Sequence, residues 1–126
     1  MGDFNDEPTN KSVMQILNAT NKRKNVNYRD LYNLMFDMHN TGNEGSITYK
    51  DSWQMFDQII VTPELLNKGT GYYLSYSDGK VYKGTEVLFT NPQTKLTGPN
   101  RTYDINSYPG GVSDHLPVYI ILKKDE

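Results

Sequence analysis

The sequence Met1-Gly2-Asp3-Phe4-Asn5 opens the chain and places an acid and an amide two positions apart. Because side chains alternate across a β-strand, Asp3 and Asn5 would leave an extended segment on the same side, and Phe4 would turn into apolar packing on the other. Pro8 prevents such a strand from continuing. The stretch therefore predicts the mouth of a site at the end of a strand.

Length and composition describe one small domain with a modest core. The chain has 126 residues, of which 36% are hydrophobic and ten are Tyr, so we expect a single domain over residues 1–126. Lys plus Arg number 13 against 15 for Asp plus Glu, giving a net charge of −2. This balance gives no support to a non-specific nucleic-acid clamp. The basic cluster at residues 22–24 is interpreted as a solvated loop, with phosphate steering as the alternative.

The compartment stays open on sequence grounds. Cysteine is absent, which excludes disulfides and thiol chemistry. No run approaches transmembrane length and no signal peptide is visible, although a chain that starts inside a motif can have lost one. The localisation is therefore unknown.

The first half of the chain predicts two amphipathic helices on one core. Residues 10–18 carry apolar side chains at helical spacing, namely Val13, Ile16 and Leu17. Residues 31–38 repeat this spacing with Leu31, Leu34, Met35 and Met38. The polar stretch between the two patterns is expected to be a loop, and a short strand is expected at Ile47–Tyr49.

The second half predicts mainly strands. Residues 53–62 are the most apolar stretch and favour a buried central strand with Asp57 at its beginning, where an acid needs a partner to offset its desolvation. The other expected elements are a helical turn at 63–66, a hairpin at 72–82 turning at Asp78-Gly79, a strand or short helix at 86–89, a long loop at 91–111 and a final strand at 118–122.

Three acids, one amide and one imidazole fall at the expected strand ends. They are Asp3, Asn5, Asp57, Asp114 and His115. If Asp57 accepts a hydrogen bond from one ring nitrogen of His115, the other nitrogen would face a substrate. Taken singly, these residues are more simply a turn acid, a strand cap and a surface imidazole. Taken together, they favour a site.

Three motifs, in this order, carry a family resemblance: Gly2-Asp3-Phe4-Asn5-Asp6, Phe56-Asp57-Gln58-Ile59-Ile60 preceded by Trp53, and Ser113-Asp114-His115-Leu116-Pro117-Val118. They resemble the endonuclease/exonuclease/phosphatase superfamily. That superfamily includes pancreatic-type DNases, abasic-site endonucleases, inositol polyphosphate 5-phosphatases and neutral sphingomyelinases. The first and last motifs are specific together, whereas each alone is only suggestive.

The resemblance implies a role for each motif residue. Asp3 would align or deprotonate the attacking water, and Asn5 would hydrogen-bond the phosphate. Asp57 would orient His115, which would contact the phosphoryl oxygens and stabilise charge in the transition state. Asp114 would lie at a divalent metal, Mg²⁺ or Mn²⁺. In-line attack on phosphorus needs both an aligned water and positive charge over the equatorial oxygens, so this set is chemically sensible.

Arg101, within the long loop, is a possible substrate-binding residue. Its guanidinium could reach a substrate phosphate, but a loop arginine that makes a structural hydrogen bond is the simpler interpretation.

The resemblance also implies an α+β fold, specifically an α/β sandwich. This chain would supply one β-sheet with outer helices, corresponding to the C-terminal half of a four-layer DNase-like sandwich. The family's other half carries the main metal-binding Glu, which has no counterpart here. We therefore expect a fragment of a metal-dependent phosphoesterase that is inactive alone. The alternative is a catalytically silent structural or binding fragment, and in either case an exposed apolar sheet face predicts homodimerisation. DNA, RNA, inositol phosphates and sphingomyelin all remain open as substrates.

Overall fold

The computed structural model describes residues 1–69 and 71–125. In chain order, the strands of this part are β1 (Gly2–Asp3), β2 (Ala19–Thr20), β3 (Leu31–Asn33), β4 (Ile47–Tyr49), β5 (Ser52–Gln54), β6 (Asp57–Gln58), β7 (Ile60–Val61), β8 (Tyr72–Tyr73), β9 (Lys80–Val81), β10 (Leu88–Thr90), β11 (Thr97–Pro99), β12 (Val118–Tyr119) and β13 (Lys123–Lys124). The helical segments are a π-helical turn at Ser12–Ile16, the α-helix α1 at Phe36–Asn40, and 3₁₀ turns at Pro63–Leu66 and Thr85–Val87.

Several small sheets replace the expected single sheet. Across the described ranges, one three-stranded sheet has the order β2-β3-β7, and the other ladders are the pairs β1-β6, β4-β5, β8-β13, β9-β12 and β10-β11. The expectation of an α+β chain holds in its coarse form, because strands predominate and helices are few. Residues 1–69 and 71–125 do not form one continuous sheet with outer helices. None of its described helices is long and apolar enough to cross a membrane.

The second predicted helix begins at Phe36 rather than at Leu31. Residues Leu31–Asn33 form β3 instead, parallel to β2 and antiparallel to β7. Pairing on both sides overrides the helical spacing of the apolar residues. The Asn33 side chain also accepts a hydrogen bond from the Met35 backbone N–H at 3.0 Å, which turns the chain out of the strand.

The first predicted helix is shorter than expected, and its apolar face is only partly buried. It forms a single π-helical turn in which Val13 is buried. Ile16 and Leu17 remain 75% and 40% exposed. The spacing therefore identified a helical segment, but two of its three apolar side chains do not enter the core.

The predicted central strand with Asp57 at its beginning is broken at Ile59. It is divided between β6 and β7, which pair with β1 and β3, respectively. The residues before it form β5, which pairs with β4. The predicted hairpin over 72–82 is wrong, because β8 pairs with β13 and β9 pairs with β12. Its Asp78-Gly79 turn chemistry is real, since the Asp78 carboxylate accepts the Ser75 N–H at 2.6 Å.

The remaining predictions concern short elements and one long loop, and two of them are confirmed. The strand at Ile47–Tyr49 and the helical turn at Pro63–Leu66 form as expected. Residues 85–90 contain both of the alternatives, a 3₁₀ turn followed by β10. The long loop is more ordered than expected, because it contributes β11, which pairs with β10.

The core lies where the small sheets meet. Its buried cluster consists of Tyr32, Leu34, Met35, Met55, Ile59 and Leu74, and each of them is at most 3% exposed. These residues come from β3, the turn before α1, the two breaks of the 53–62 segment and the residue after β8. Burial of these side chains is what brings the short ladders together.

Asp30 organises the loop between β2 and β3. Its carboxylate accepts hydrogen bonds from Lys22 Nζ, the Asn27 backbone N–H and Asn18 Nδ2, each at 2.8 Å. These contacts, led by Lys22, lower the pKa of Asp30 from 3.8 to about 2. Arg23 is paired with Asp37 at 2.5 Å, so two cations of the basic cluster are engaged within the chain.

Asp30→Asn is expected to destabilise the fold in a pH-dependent manner. Because the folded-state pKa of Asp30 is depressed, its stabilising contribution is present above the ordinary value of 3.8 and is lost as the pH falls through about 2. The difference in free energy of unfolding between wild type and variant should therefore shrink with acidification. Urea unfolding followed by circular dichroism over a pH series measures it. A difference that grows toward acid would contradict this account.

Candidate active site

The first strand pairs the start of the chain with its middle. β1 runs antiparallel to β6, with Gly2 opposite Gln58 and Asp3 opposite Asp57. The Phe4 N–H continues this ladder by donating to the Phe56 carbonyl at 2.9 Å. Two predicted site carboxylates are thereby placed on facing positions of one ladder.

The opening segment (residues 1–6) turns sharply after Asp3. The Asn5 N–H donates to Asp3 Oδ1 at 2.8 Å, and Asn5 has a left-handed φ of 50°. The prediction that Asp3 and Asn5 leave one face of an extended strand is therefore wrong, because the strand ends between them. Phe4 is 37% exposed, so its expected burial is incomplete. The acid and the amide are instead held together by a tight turn.

Asp57 and His115 form a close pair. Asp57 Oδ2 lies 2.6 Å from His115 Nδ1, and the two side chains are 16% and 24% exposed. An ionised carboxylate has no hydrogen to donate, so this hydrogen bond requires the proton to be on Nδ1 of His115. The predicted hydrogen bond between these residues is present, and Nε2 has no hydrogen-bond partner within residues 1–69 and 71–125.

A buried serine ties the backbone of Asp57 to that of Leu116, the residue after His115. Ser46 is fully buried; its Oγ accepts the Asp57 N–H at 3.0 Å, and its carbonyl accepts the Leu116 N–H at 2.7 Å. The His115 N–H is held in turn by Ser113 Oγ at 3.1 Å. Sequence reasoning missed Ser46, because its role depends on which backbone groups lie beside it in the fold.

The pair opens onto a shallow cavity of about 250 Å³. Its lining includes Asp57, His115, Val87, Val112 and Pro117. A larger depression of about 420 Å³ lies between residues 22–32 and 63–67, but neither Asp57 nor His115 lines it. The chemistry of the lining therefore favours the smaller cavity as the candidate active site.

Of the six predicted site residues, only Asp57 and His115 line this cavity; Asp3, Asn5, Asp114 and Arg101 do not. Asp114 is exposed and has no hydrogen bond or ion pair to the described part of the chain. Arg101 donates from Nη2 to the Thr48 carbonyl and is partly buried. This is the structural hydrogen bond that the sequence left as the simpler alternative, and its role toward substrate stays a prediction.

The carboxylates present do not make a metal site by themselves. Among residues 1–69 and 71–125, no group of three His, Asp or Glu side chains could hold a metal ion. Asp3 and Asp114 offer the oxygen donors that Mg²⁺ prefers, but Asp57 is engaged by His115.

The segment that follows the opening turn is anchored at several points. The Asp6 carboxylate accepts hydrogen bonds from Ser12 Oγ and Asn10 Nδ2, and these contacts lower its pKa. His39, in the last turn of α1, lies 3.1 Å from Thr9 Oγ1 through Nε2. Sequence reasoning gave these contacts no role, although they fix the chain immediately beyond the candidate site.

Comparison with known proteins identifies one family. The family model described as "Endonuclease/Exonuclease/phosphatase family" matches residues 1–124. No curated protein and no solved structure matches the chain significantly. The match covers all three motifs and every candidate site residue.

Asp57→Asn is expected to change the tautomer of His115 without unfolding the chain. The carboxylate of Asp57 only accepts, whereas an amide can also donate, so the preference for a proton on Nδ1 should fall in the variant. The ¹⁵N chemical shifts of the neutral ring report this proton position. The chain has two histidines, and a His39→Gln variant assigns their signals. An unchanged tautomer would show that Asp57 does not orient the ring.

Proposed function

Because the chain belongs to the endonuclease/exonuclease/phosphatase family, we propose that it provides the residues for metal-dependent hydrolysis of a phosphodiester or phosphomonoester. The observation that carries this proposal is the 2.6 Å contact between Asp57 and His115, which joins two family motifs lying 58 positions apart. Asp3, opposite Asp57 in the β1-β6 ladder, adds a third motif residue to the same region.

In this proposal, His115 stabilises negative charge on the phosphoryl group. As an imidazolium it donates Nδ1–H to Asp57 and Nε2–H to a phosphoryl oxygen. Asp57 fixes the orientation of the ring, and Ser46 fixes the backbone on both sides of the contact. The ring is thus held before substrate arrives, which is the arrangement that makes such a donor effective.

Asp3 aligns or deprotonates the attacking water, and Asn5 hydrogen-bonds the phosphate. Asp3 Oδ1 is occupied by the Asn5 N–H, which leaves Oδ2 for the water. The same turn directs the Asn5 side chain independently of the strand, since its left-handed backbone breaks the alternation of side chains. We propose that Arg101 also contacts the phosphate. To do so, its guanidinium would release the Thr48 carbonyl and bind the substrate instead.

A divalent cation, Mg²⁺ or Mn²⁺, would neutralise charge on the phosphate, and Asp114 is the residue of this chain proposed to contact it. Since the described residues do not gather three metal-binding side chains, we propose that the other ligands lie in a second half of a four-layer DNase-like sandwich. Alone, the chain would accordingly be inactive or nearly so.

The second candidate function is a catalytically silent structural or binding fragment that self-associates. Exposed apolar side chains favour it, because large apolar surfaces on soluble proteins are usually covered. Within the first seventeen residues these are Met1, Phe4, Ile16 and Leu17, which are 81%, 37%, 75% and 40% exposed. In this candidate function, a homodimer would cover these side chains.

The catalytic proposal predicts little turnover of bis-p-nitrophenyl phosphate or p-nitrophenyl phosphate by the 126-residue chain with Mg²⁺. A longer version that includes the metal-binding half should hydrolyse one of them. In that version, Asp3→Ala and His115→Ala should each lower kcat by roughly 10²–10⁴-fold, because each removes a group acting in the transition state.

His39→Gln is the matched control: it removes the chain's other imidazole and keeps an amide that can hydrogen-bond Thr9, so activity should be retained. Activity of the 126-residue chain that disappears in Asp3→Ala would refute the need for a second half. An inactive longer version would remove the enzymatic proposal.

Self-association predicts a dimer mass by size-exclusion chromatography with light scattering at high protein concentration. Ile16→Lys should shift the equilibrium toward monomer, because a charge cannot be buried in an apolar interface without a partner. Gln15→Lys provides the control, because it adds the same charge in the same helical turn at an exposed position that is already polar. A clean monomer at all concentrations would exclude the dimer.

A further inference from the structure

Two buried amide side chains link the core to the opening segment. Asn33 and Gln58 are 1% and 0% exposed. The Met35 N–H donates to Asn33 Oδ1 at 3.0 Å, Asn33 Nδ2 donates to Gln58 Oε1 at 2.6 Å, and Gln58 Nε2 donates to the Asp6 carbonyl at 2.5 Å. We call this chain of three hydrogen bonds the amide relay.

The relay has a fixed direction. Each amide oxygen accepts and each amide nitrogen donates. Rotating either amide by 180° would therefore place a donor against a donor or an acceptor against an acceptor. Buried polar groups in such a network hold one arrangement, because alternatives leave a donor or acceptor unpaired. The relay therefore specifies a single position for the Asp6 carbonyl.

Gln58 fixes the opening segment at both of its ends. Its backbone lies opposite Gly2 in the β1-β6 ladder, and its side chain holds the Asp6 carbonyl. The turn at Asn5 lies between these two contacts. Gln58 also directly follows Asp57, so one residue joins the opening segment to the strand that carries the partner of His115.

We propose that Asn33 and Gln58 are positioning residues of the candidate active site. Through the relay they hold the turn that carries Asn5 and Asp3, the latter opposite Asp57 in the β1-β6 ladder. The claim that these residues hold the turn concerns the folded chain alone, whereas its consequence for catalysis rests on the proposed function. A residue that only fills the core would be replaceable by an apolar side chain of similar size.

Gln58→Glu tests the hydrogen bonds rather than the packing. When protonated, the new carboxyl group can accept from Asn33 and donate its O–H to the Asp6 carbonyl, which restores the relay. When ionised, it has no proton to donate and repels that carbonyl. Burial raises the pKa of a carboxyl group, so the variant should switch between these states within an accessible pH range.

Backbone amide signals of Asn5 and Asp6, followed by NMR on the full chain, give the readout. In Gln58→Glu they should match wild type at low pH and shift, with faster hydrogen exchange, at high pH. The titratable groups on the segments around Gln58 are Asp3, Asp6, Glu7, Asp57 and His115, together with His39, which lies 3.7 Å from Glu7, so the wild-type titration is subtracted at each pH. Gln15→Glu, at an exposed position, is the matched control and should leave these signals at their wild-type positions.

Gln58→Met removes the second and third hydrogen bonds of the relay, and Asn33→Leu removes the first and second. Both variants introduce apolar side chains of similar size. Both should displace the Asn5 and Asp6 signals in the same direction, and neither displacement should depend on pH. These variants keep the test decisive if Gln58→Glu fails to fold. Wild-type signals in both apolar variants would overturn the proposal.

In an active longer version, Gln58→Met should lower kcat by about 10–100-fold with a smaller change in KM, because it misplaces groups used in the transition state. The activity of Gln58→Glu relative to wild type should fall as the pH rises. Displaced NMR signals with kcat retained within twofold would overturn the positioning role. An inactive wild type would instead refute the proposed function, while the NMR result still decides whether the relay holds the segment.

Discussion

The antiparallel contact between Gly2–Asp3 and Asp57–Gln58 is the constraint on which the candidate site depends. It fixes Asp3 opposite Asp57, and Asp57 in turn binds His115. Ser46 then ties the Asp57 backbone to that of Leu116, so the three motif regions meet at one place. Each contact positions a residue that another contact uses, so removing one of them would displace the residues joined by the others.

Short ladders rather than a broad sheet support this arrangement. No described strand is longer than three residues, so backbone pairing alone gives each ladder little stability. The buried cluster around Met35, Met55 and Leu74 supplies the common packing, and side-chain hydrogen bonds such as those of Asp30 and Gln58 set the positions of loops. The precision of the candidate site therefore comes from buried polar contacts on a small apolar core.

Local chemistry was predictable from sequence, and the long-range pairing of strands was not. The Ile47–Tyr49 strand and the Pro63–Leu66 turn follow from residues that act close to where they stand. The Asp57–His115 contact is long-range, and it was predicted from the family motifs rather than from local chemistry. The prediction of a hairpin over 72–82 is wrong. Its turn residues behave as expected, but its two strands pair with strands near the C-terminus instead of with each other. Ser46 and Gln58 look unremarkable in the sequence, since their importance arises only when distant backbone groups are brought against them.

The separation of these partners along the chain has a consequence for folding. The Asp57–His115 contact spans 58 positions and the contact from Gln58 to the Asp6 carbonyl spans 52. Closing loops of this length costs chain entropy before the contact contributes any stabilisation, so such contacts form late in folding. The local turns around Asp30 and Asp78 can form early, whereas the site is assembled only when both chain termini have joined the middle. Its geometry is therefore a sensitive indicator that folding has reached completion.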